Sequence, residues 1–198
     1  NNYISAITLA NGANGELASN YALPTLNASN APVIITAKAL TVSGLTAENK
    51  TYDGTRSATI ATSSAVYTGL ITGDDVTVSA TGLFANANAG NGKTVTLTSS
   101  YSGADMDNYT ITDQSSTTAN ITPKTVSLGG TTATKVYDGT TTLSGSQVTI
   151  TTGVGSEVLT YTNAAANSAN VGSNNYISAI TLANGANGEL ASNYALPT

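Results

Sequence analysis

Carboxylates are the side chains of this sequence that stand close enough together to share chemistry. They form two clusters, Asp74-Asp75 and Asp105-x-Asp107-Asn108. Paired acids hydrolyse glycosides, but that reaction needs a cleft and aromatic platforms, and the chain has one Phe and no Trp. Calcium also takes oxygen donors, about six to eight of them, so each cluster would need backbone carbonyls or water to complete a shell. Asp74, Asp75, Asp105 and Asp107 are therefore the calcium candidates. With no His and no Cys, Ser-His and Cys-His nucleophiles, disulfides and His- or Cys-ligated metals are excluded. Lys38, Lys93 and Lys124 are amines that could condense with an Asn amide, a reaction that requires a buried acid as proton shuttle. On this reading the chain is not an enzyme and carries no cofactor, calcium being the one open option.

The remaining polar motifs have structural explanations. In Tyr52-Asp53-Gly54 and again in Tyr137-Asp138-Gly139, Asp bonds its local backbone and Gly supplies a positive φ, which makes a tight turn. The tyrosine buries its ring and keeps its hydroxyl on a partner. Lys50 and Lys135, three residues before each Asp, can pair with it. Asn-x-Ser/Thr triplets at Asn27, Asn49, Asn108 and Asn120 are no more than so much Asn, Ser and Thr produces by chance.

Short strands must position these residues. Valines alternate with hydroxyl residues in Asp75-Val76-Thr77-Val78-Ser79-Ala80, and the same period of two runs through Lys93-Thr94-Val95-Thr96-Leu97-Thr98, Gln147-Val148-Thr149-Ile150 and Asn108-Tyr109-Thr110-Ile111. Such alternation places apolar side chains on one face and Thr on the other, as in antiparallel sheets with one wet face. Turn signals punctuate the runs at Asp53-Gly54, Gly73-Asp74, Asn91-Gly92, Gly129-Gly130, Asn184-Gly185 and Asn187-Gly188. Residues 163–170 (NAAANSAN) read as a loop or a single helical turn. No run is long and apolar enough to span a membrane, and a net charge of -5 with five Lys and one Arg argues against nucleic acid.

The sequence repeats itself at two levels. Residues 1–25 recur letter for letter as residues 174–198. Within that long period, Lys50-Thr51-Tyr52-Asp53-Gly54-Thr55 returns as Lys135-Val136-Tyr137-Asp138-Gly139-Thr140, and Ile35-Thr36-Ala37-Lys38 as Ile121-Thr122-Pro123-Lys124. An Asn-Tyr pair appears at Asn20-Tyr21, Asn108-Tyr109 and Asn193-Tyr194. These landmarks divide the chain into residues 1–35, the tail of a preceding repeat; 36–121, a complete module; and 122–198, a second module short of its last strand. The copy at residues 26–35 implies that the natural chain continues with LNASNAPVIITAK or a close variant.

The K-x-Y-D-G-T opening, the stretch Gly103-Ala104-Asp105-Met106-Asp107-Asn108-Tyr109-Thr110-Ile111 and the ITAK/ITPK junctions resemble the YDG/MBG repeats of large bacterial surface adhesins of the filamentous-haemagglutinin-like type. The second module departs from the pattern, reading Gly188-Glu189-Leu190-Ala191-Ser192-Asn193-Tyr194 without the Asp105 and Asp107 pair. The resemblance implies an extracellular stalk at the cell surface or in a biofilm matrix. Its partners would be neighbouring repeats of the same chain and other copies of it, and no host or matrix ligand is named by it. About seven short strands per module fit an all-β fold of tandem immunoglobulin-like sandwiches. The alternatives are β-grasp-like modules and, ranked last for want of a short period, a β-solenoid.

Overall fold

The computed structural model describes residues 2–127 and 133–197; the Gly129-Gly130 turn signal and Thr198 lie outside the described residues. The fold is all-β, with four short 3-10 turns and no α-helix among those residues. The first set of strands is β1 (Lys38–Ser43), β2 (Thr46–Ala47), β3 (Lys50–Thr51), β4 (Ser57–Ala58), β5 (Ile60–Ala61), β6 (Val66–Thr68), β7 (Thr77–Phe84), β8 (Gly90–Ser102), β9 (Tyr109–Thr112) and β10 (Ser116–Thr122). The second is β11 (Lys124–Thr125), β12 (Thr142–Leu143), β13 (Thr160–Ala166), β14 (Ile177–Ala183) and β15 (Tyr194–Ala195).

In the first set, β6-β1-β9 and β3-β10-β8-β7-β4 are two sheets that share one core, with a small β2-β5 pair beside them. Alternation explains the layering. Along β7, Val78, Gly82 and Phe84 face inward or pack closely while the intervening Thr and Ser are exposed. Leu40 and Val42 of β1 meet Val95 and Leu97 of β8 in that core. Gly82 is there because a Cβ would come within 2.5 Å of Ile60 Cδ1.

The second set repeats the pairings in the same register. β1 runs parallel to β9 with Lys38 beside Tyr109, and β11 runs parallel to β15 with Lys124 beside Tyr194. The β4-β7-β8 ladder returns as β12-β13-β14, with Leu143 opposite Ala164 where Ala58 stands opposite Gly82. One neighbour differs. β8 has β10 on its outer side, whereas no strand among the described residues lies beyond β14. Leu143, Val148 and Ala164 accordingly form a small core cluster of their own.

Three local expectations change. Asn91-Gly92 is not a chain reversal: it lies inside β8 as a bulge, where the register against β10 slips and Gly92 takes φ +60°. Residues 163–166 are neither loop nor helical turn but the end of β13, kinked where Asn163 adopts φ +51°. Gln147 does not begin a strand, because the Ser144 backbone N–H donates to its Oε1 at 2.6 Å and closes a 3-10 turn.

Residues 2–37 form a separate outer segment in which Tyr3 bridges Pro32 and Ile34 and Ile35 stand 87% and 76% exposed. The contrast with β10 is direct, since Ile121 occupies the same place in the Ile-Thr-x-Lys landmark and is 1% exposed. Ile121→Ala should therefore destabilise the first unit by about 2–5 kcal/mol in denaturant melts. Ile35→Ala should stay within about 0.5 kcal/mol of the parent. Equal losses would mean that the two isoleucines are used alike.

Candidate functional site

Both Tyr-Asp-Gly turns close on the same cage of hydrogen bonds. Lys50 Nζ lies 2.8 Å from Asp53 Oδ1, which also accepts the Thr55 backbone N–H at 2.8 Å and the Thr55 hydroxyl at 2.9 Å. In the second copy Lys135 Nζ lies 2.9 Å from Asp138 Oδ1, and Thr140 supplies the same two donors at 2.9 and 3.0 Å. Asp138 is thereby lowered to about 2, first by the Lys135 ammonium and then by the Thr140 N–H. For Asp53, burial works against the charge, but the same Lys and Thr donors outweigh it and the net direction is down. Gly54 and Gly139 take φ +77° and +73°, the conformation the turn requires.

The tyrosines that enter these matched turns differ. Tyr52 is 5% exposed and Tyr137 is 63% exposed. Tyr52 is covered by the second set of strands: its ring meets that of Tyr194 edge-on, with centroids 5.3 Å apart and planes at 77°. Its hydroxyl donates to Glu157 Oε1 at 2.8 Å, while the Tyr194 hydroxyl donates to Glu157 Oε2 at 2.7 Å. One carboxylate thus receives a tyrosine from each unit. A Cβ on Gly54 would stand 3.0 Å from Val154 Cγ1, whereas one on Gly139 would meet nothing within 4 Å. The first turn is seated against a neighbour, and the second faces open space.

Asn193 completes the junction. Only 2% exposed, it accepts the Ala89 backbone N–H at 2.8 Å and donates its amide to Asn88 Oδ1 at 3.2 Å. Its counterpart Asn108 is exposed, although the adjoining Tyr109 is buried and donates to Asp74 Oδ2 at 2.5 Å. Asp74–Tyr109 and Glu157–Tyr194 are both contacts of an acid with the tyrosine of its own unit, and Glu157 also reaches Tyr52. Glu157, Asn88 and Val154 were not singled out by their sequence context. The available signal was an acid just ahead of a strand in both repeats, in Gly73-Asp74-Asp75-Val76 and Gly155-Ser156-Glu157-Val158.

Three of the calcium candidates, Asp74, Asp75 and Asp105, accept protein donors. Asp105 Oδ2 accepts the Asp75 backbone N–H at 2.9 Å, Asp75 Oδ2 accepts that of Ala104 at 3.4 Å, and Asp107 lies in the adjoining 3-10 turn. Among the described residues no three acids gather as a metal cluster. Of the candidate amines, Lys38 donates to the Gly69 carbonyl and Lys93 to Asn86 Oδ1 at 2.6 Å, both at the surface.

Burial, and next the Glu157 carboxylate it bonds, push Tyr52 up to about 12 from an ordinary 10. Tyr194 is raised by the same two causes in the same order. A group whose folded pKa is raised stabilises the fold fully below its unfolded pKa. That stability is lost as the pH climbs from about 10 through 12. Alkaline unfolding should begin in that window, and Tyr52→Phe should flatten the loss. At neutral pH, Tyr52→Phe and Glu157→Gln should each cost about 1.5–3 kcal/mol, the range for hydrogen bonds to a charged group. The double variant should cost less than their sum. Additive losses would show that the two side chains do not interact.

A family model described as the YDG domain matches residues 36–119 and, a second time, residues 122–198. No curated protein and no solved structure matches the chain. With the family model covering most of the sequence in two successive copies, the chain belongs to the YDG domain family.

Proposed function

We propose that this chain is a structural repeat segment of an extracellular stalk, in a bacterial adhesin or a biofilm-matrix protein. The observation that supports the reading is the shared carboxylate of Glu157, which ties Tyr52 of the first domain to Tyr194 of the second. The core is continuous across that junction, running from Leu40 and Phe84 to Val154, Leu159 and Tyr194. Domains coupled in this way transmit load in series, with stability set by each repeat and its neighbour interface. Each domain in this proposal is an immunoglobulin-like sandwich, supported by the two sheets around one core in the first domain and by a first strand parallel to a late one in both. The β-grasp-like alternative shares the parallel pair but not the second sheet over the core.

The role needs no catalysis, cofactor, nucleic acid or membrane insertion. No helix among the described residues is long and apolar enough to cross a membrane. Calcium is not required in this reading, because the acidic loops are held by backbone amides. A second reading, a fibre built by self-association of such chains, is favoured by the apolar residues exposed on the second domain, with Val136 at 87% and Val171 at 90%.

An antibody against the chain should label intact, unpermeabilised source cells or their matrix, and external protease should remove the label. Labelling that needs permeabilisation would overturn the stalk. Chelation by EDTA should leave the melting temperature unchanged; a clear drop, restored by calcium, would reinstate Asp74, Asp75, Asp105 and Asp107 as ligands. Pulled from its two ends, the chain should give way at lower force when Tyr52 is replaced by Ala.

A further inference from the structure

We propose that Tyr52 and Tyr194 form a modification site, at which a one-electron oxidant driven by peroxide joins the two rings as a dityrosine and fuses the first domain to the second. This goes beyond the stalk reading, which rests on the hydrogen bonds of the junction whether or not the rings are joined.

The chain has ten tyrosines, but within one molecule a ring couples only with a ring beside it. Tyr52 and Tyr194 are the one such pair among the described residues, with centroids 5.3 Å apart and planes at 77°. Rings joined through the carbons next to their hydroxyls are twisted out of a common plane, because their substituents clash when flat. The pair therefore already holds the crossed arrangement of the product. Both hydroxyls end on Glu157, at 2.8 and 2.7 Å, which draws the carbons beside them toward the same side of the junction. Each tyrosine is 5% exposed, so both rings are closed to other chains and each has the other as its partner.

Glu157 supplies what oxidation of a phenol needs. A neutral phenol gives up an electron readily when its proton leaves at the same time, and a carboxylate at hydrogen-bond distance is placed to take that proton. Half-buried, Glu157 can pass one proton to solvent before it receives the next. Tyr101 and Tyr109 also donate to carboxylates, those of Asp113 and Asp74, but neither has a facing ring among the described residues.

The step balances. Each tyrosine gives one electron to the oxidant and its phenolic proton to Glu157. The two phenoxyl radicals form a carbon–carbon bond between the positions next to their oxygens, and the hydrogens those carbons carried move to the oxygens to restore two phenols. The two electrons and two protons that leave reduce one peroxide to two waters. In a chain without cysteine, the bond is a staple that needs no disulfide. It ties residue 52 to residue 194 and restricts the unfolded chain as a long-range disulfide does.

The full chain at low concentration tests this, treated with hydrogen peroxide and a haem peroxidase and, separately, with light-driven tris(bipyridine)ruthenium and persulfate, which needs no protein to approach the junction. Trypsin followed by a Glu-specific protease releases residues 51–56 and residues 190–198, each with a single tyrosine. The expected product is these two peptides joined, lighter than their sum by two hydrogens, and it should hold most of the dityrosine formed. Products of exposed rings such as Tyr21 and Tyr176 arise between chains and should fade on further dilution, whereas this one should not. Tyr52→Phe should abolish the joined peptide, and the coupled chain should melt at a higher temperature than the uncoupled one. Glu157→Gln, in a chain still folded by circular dichroism, should slow the coupling by about a hundredfold and remove the slowing that the parent shows in deuterium oxide. An unchanged rate in that variant would overturn Glu157 as the proton acceptor. If both oxidants give only dilution-sensitive products, or join residues 51–56 to other peptides as often as to 190–198, the site itself is overturned.

Discussion

Strand β10 supports the rest of the first domain through two different bonds. Its apolar face closes the core with Ala119 and Ile121, and its backbone holds the residue that reaches the next domain. The Thr122 carbonyl accepts the Tyr52 N–H, so a backbone bond to β10 holds the residue whose hydroxyl reaches Glu157. A buried polar backbone without such a partner would cost about 1–3 kcal/mol, so the strand and the junction are energetically tied. Immediately after β10, Pro123 ends the ladder and Lys124 opens the second domain. The link between domains is therefore almost as short as a link between strands, and it leaves little freedom at the junction.

The junction itself uses a small number of polar groups in a sparsely charged chain. With 9% of residues charged, Glu157 meets no cation in the contacts described above and is satisfied instead by two phenolic hydroxyls. Hydrogen bonds to an ionised acceptor are roughly twice as strong as neutral ones, and these two are made by tyrosines that are each 5% exposed. The geometry also explains why the Asn-Tyr pair is used twice differently. Tyr109 and Tyr194 are both buried on an acid of their own domain, but only Asn193 meets a preceding domain and is buried by it.

Much of this was legible in the residues. The Lys-x-Tyr-Asp-Gly-Thr turns are local chemistry, with donors and acceptors at most a few residues apart, and both copies close identically. Alternating Val and Thr marked β7 and β8 because a half-buried strand has a period of two. What escaped was non-local. Glu157 is isolated in sequence, and its two partners lie 105 and 37 residues away. Asn91-Gly92 carries a turn signal, yet near the start of the long strand β8 the same dihedral freedom is absorbed as a bulge.

The duplicated segment separates the two kinds of information without confounding. Residues 1–25 and 174–198 are identical, and their local structure agrees: a 3-10 turn forms at Ala18–Asn20 and at Ala191–Asn193. In both, an Asn side chain accepts the first N–H of that turn, Asn11 at 2.8 Å and Asn184 at 2.9 Å, and a Gly N–H bonds a Glu carbonyl across the preceding loop. Those bonds span few residues, so the sequence alone determines them. The strand and the burial are another matter. Residues 177–183 form β14 against β13, while the same letters at 4–10 pair with no strand; Tyr194 is 5% exposed and Tyr21 is 66% exposed. A strand needs a partner to satisfy its backbone and a facing sheet to bury its side chains. Only the tertiary structure decides whether that partner is there.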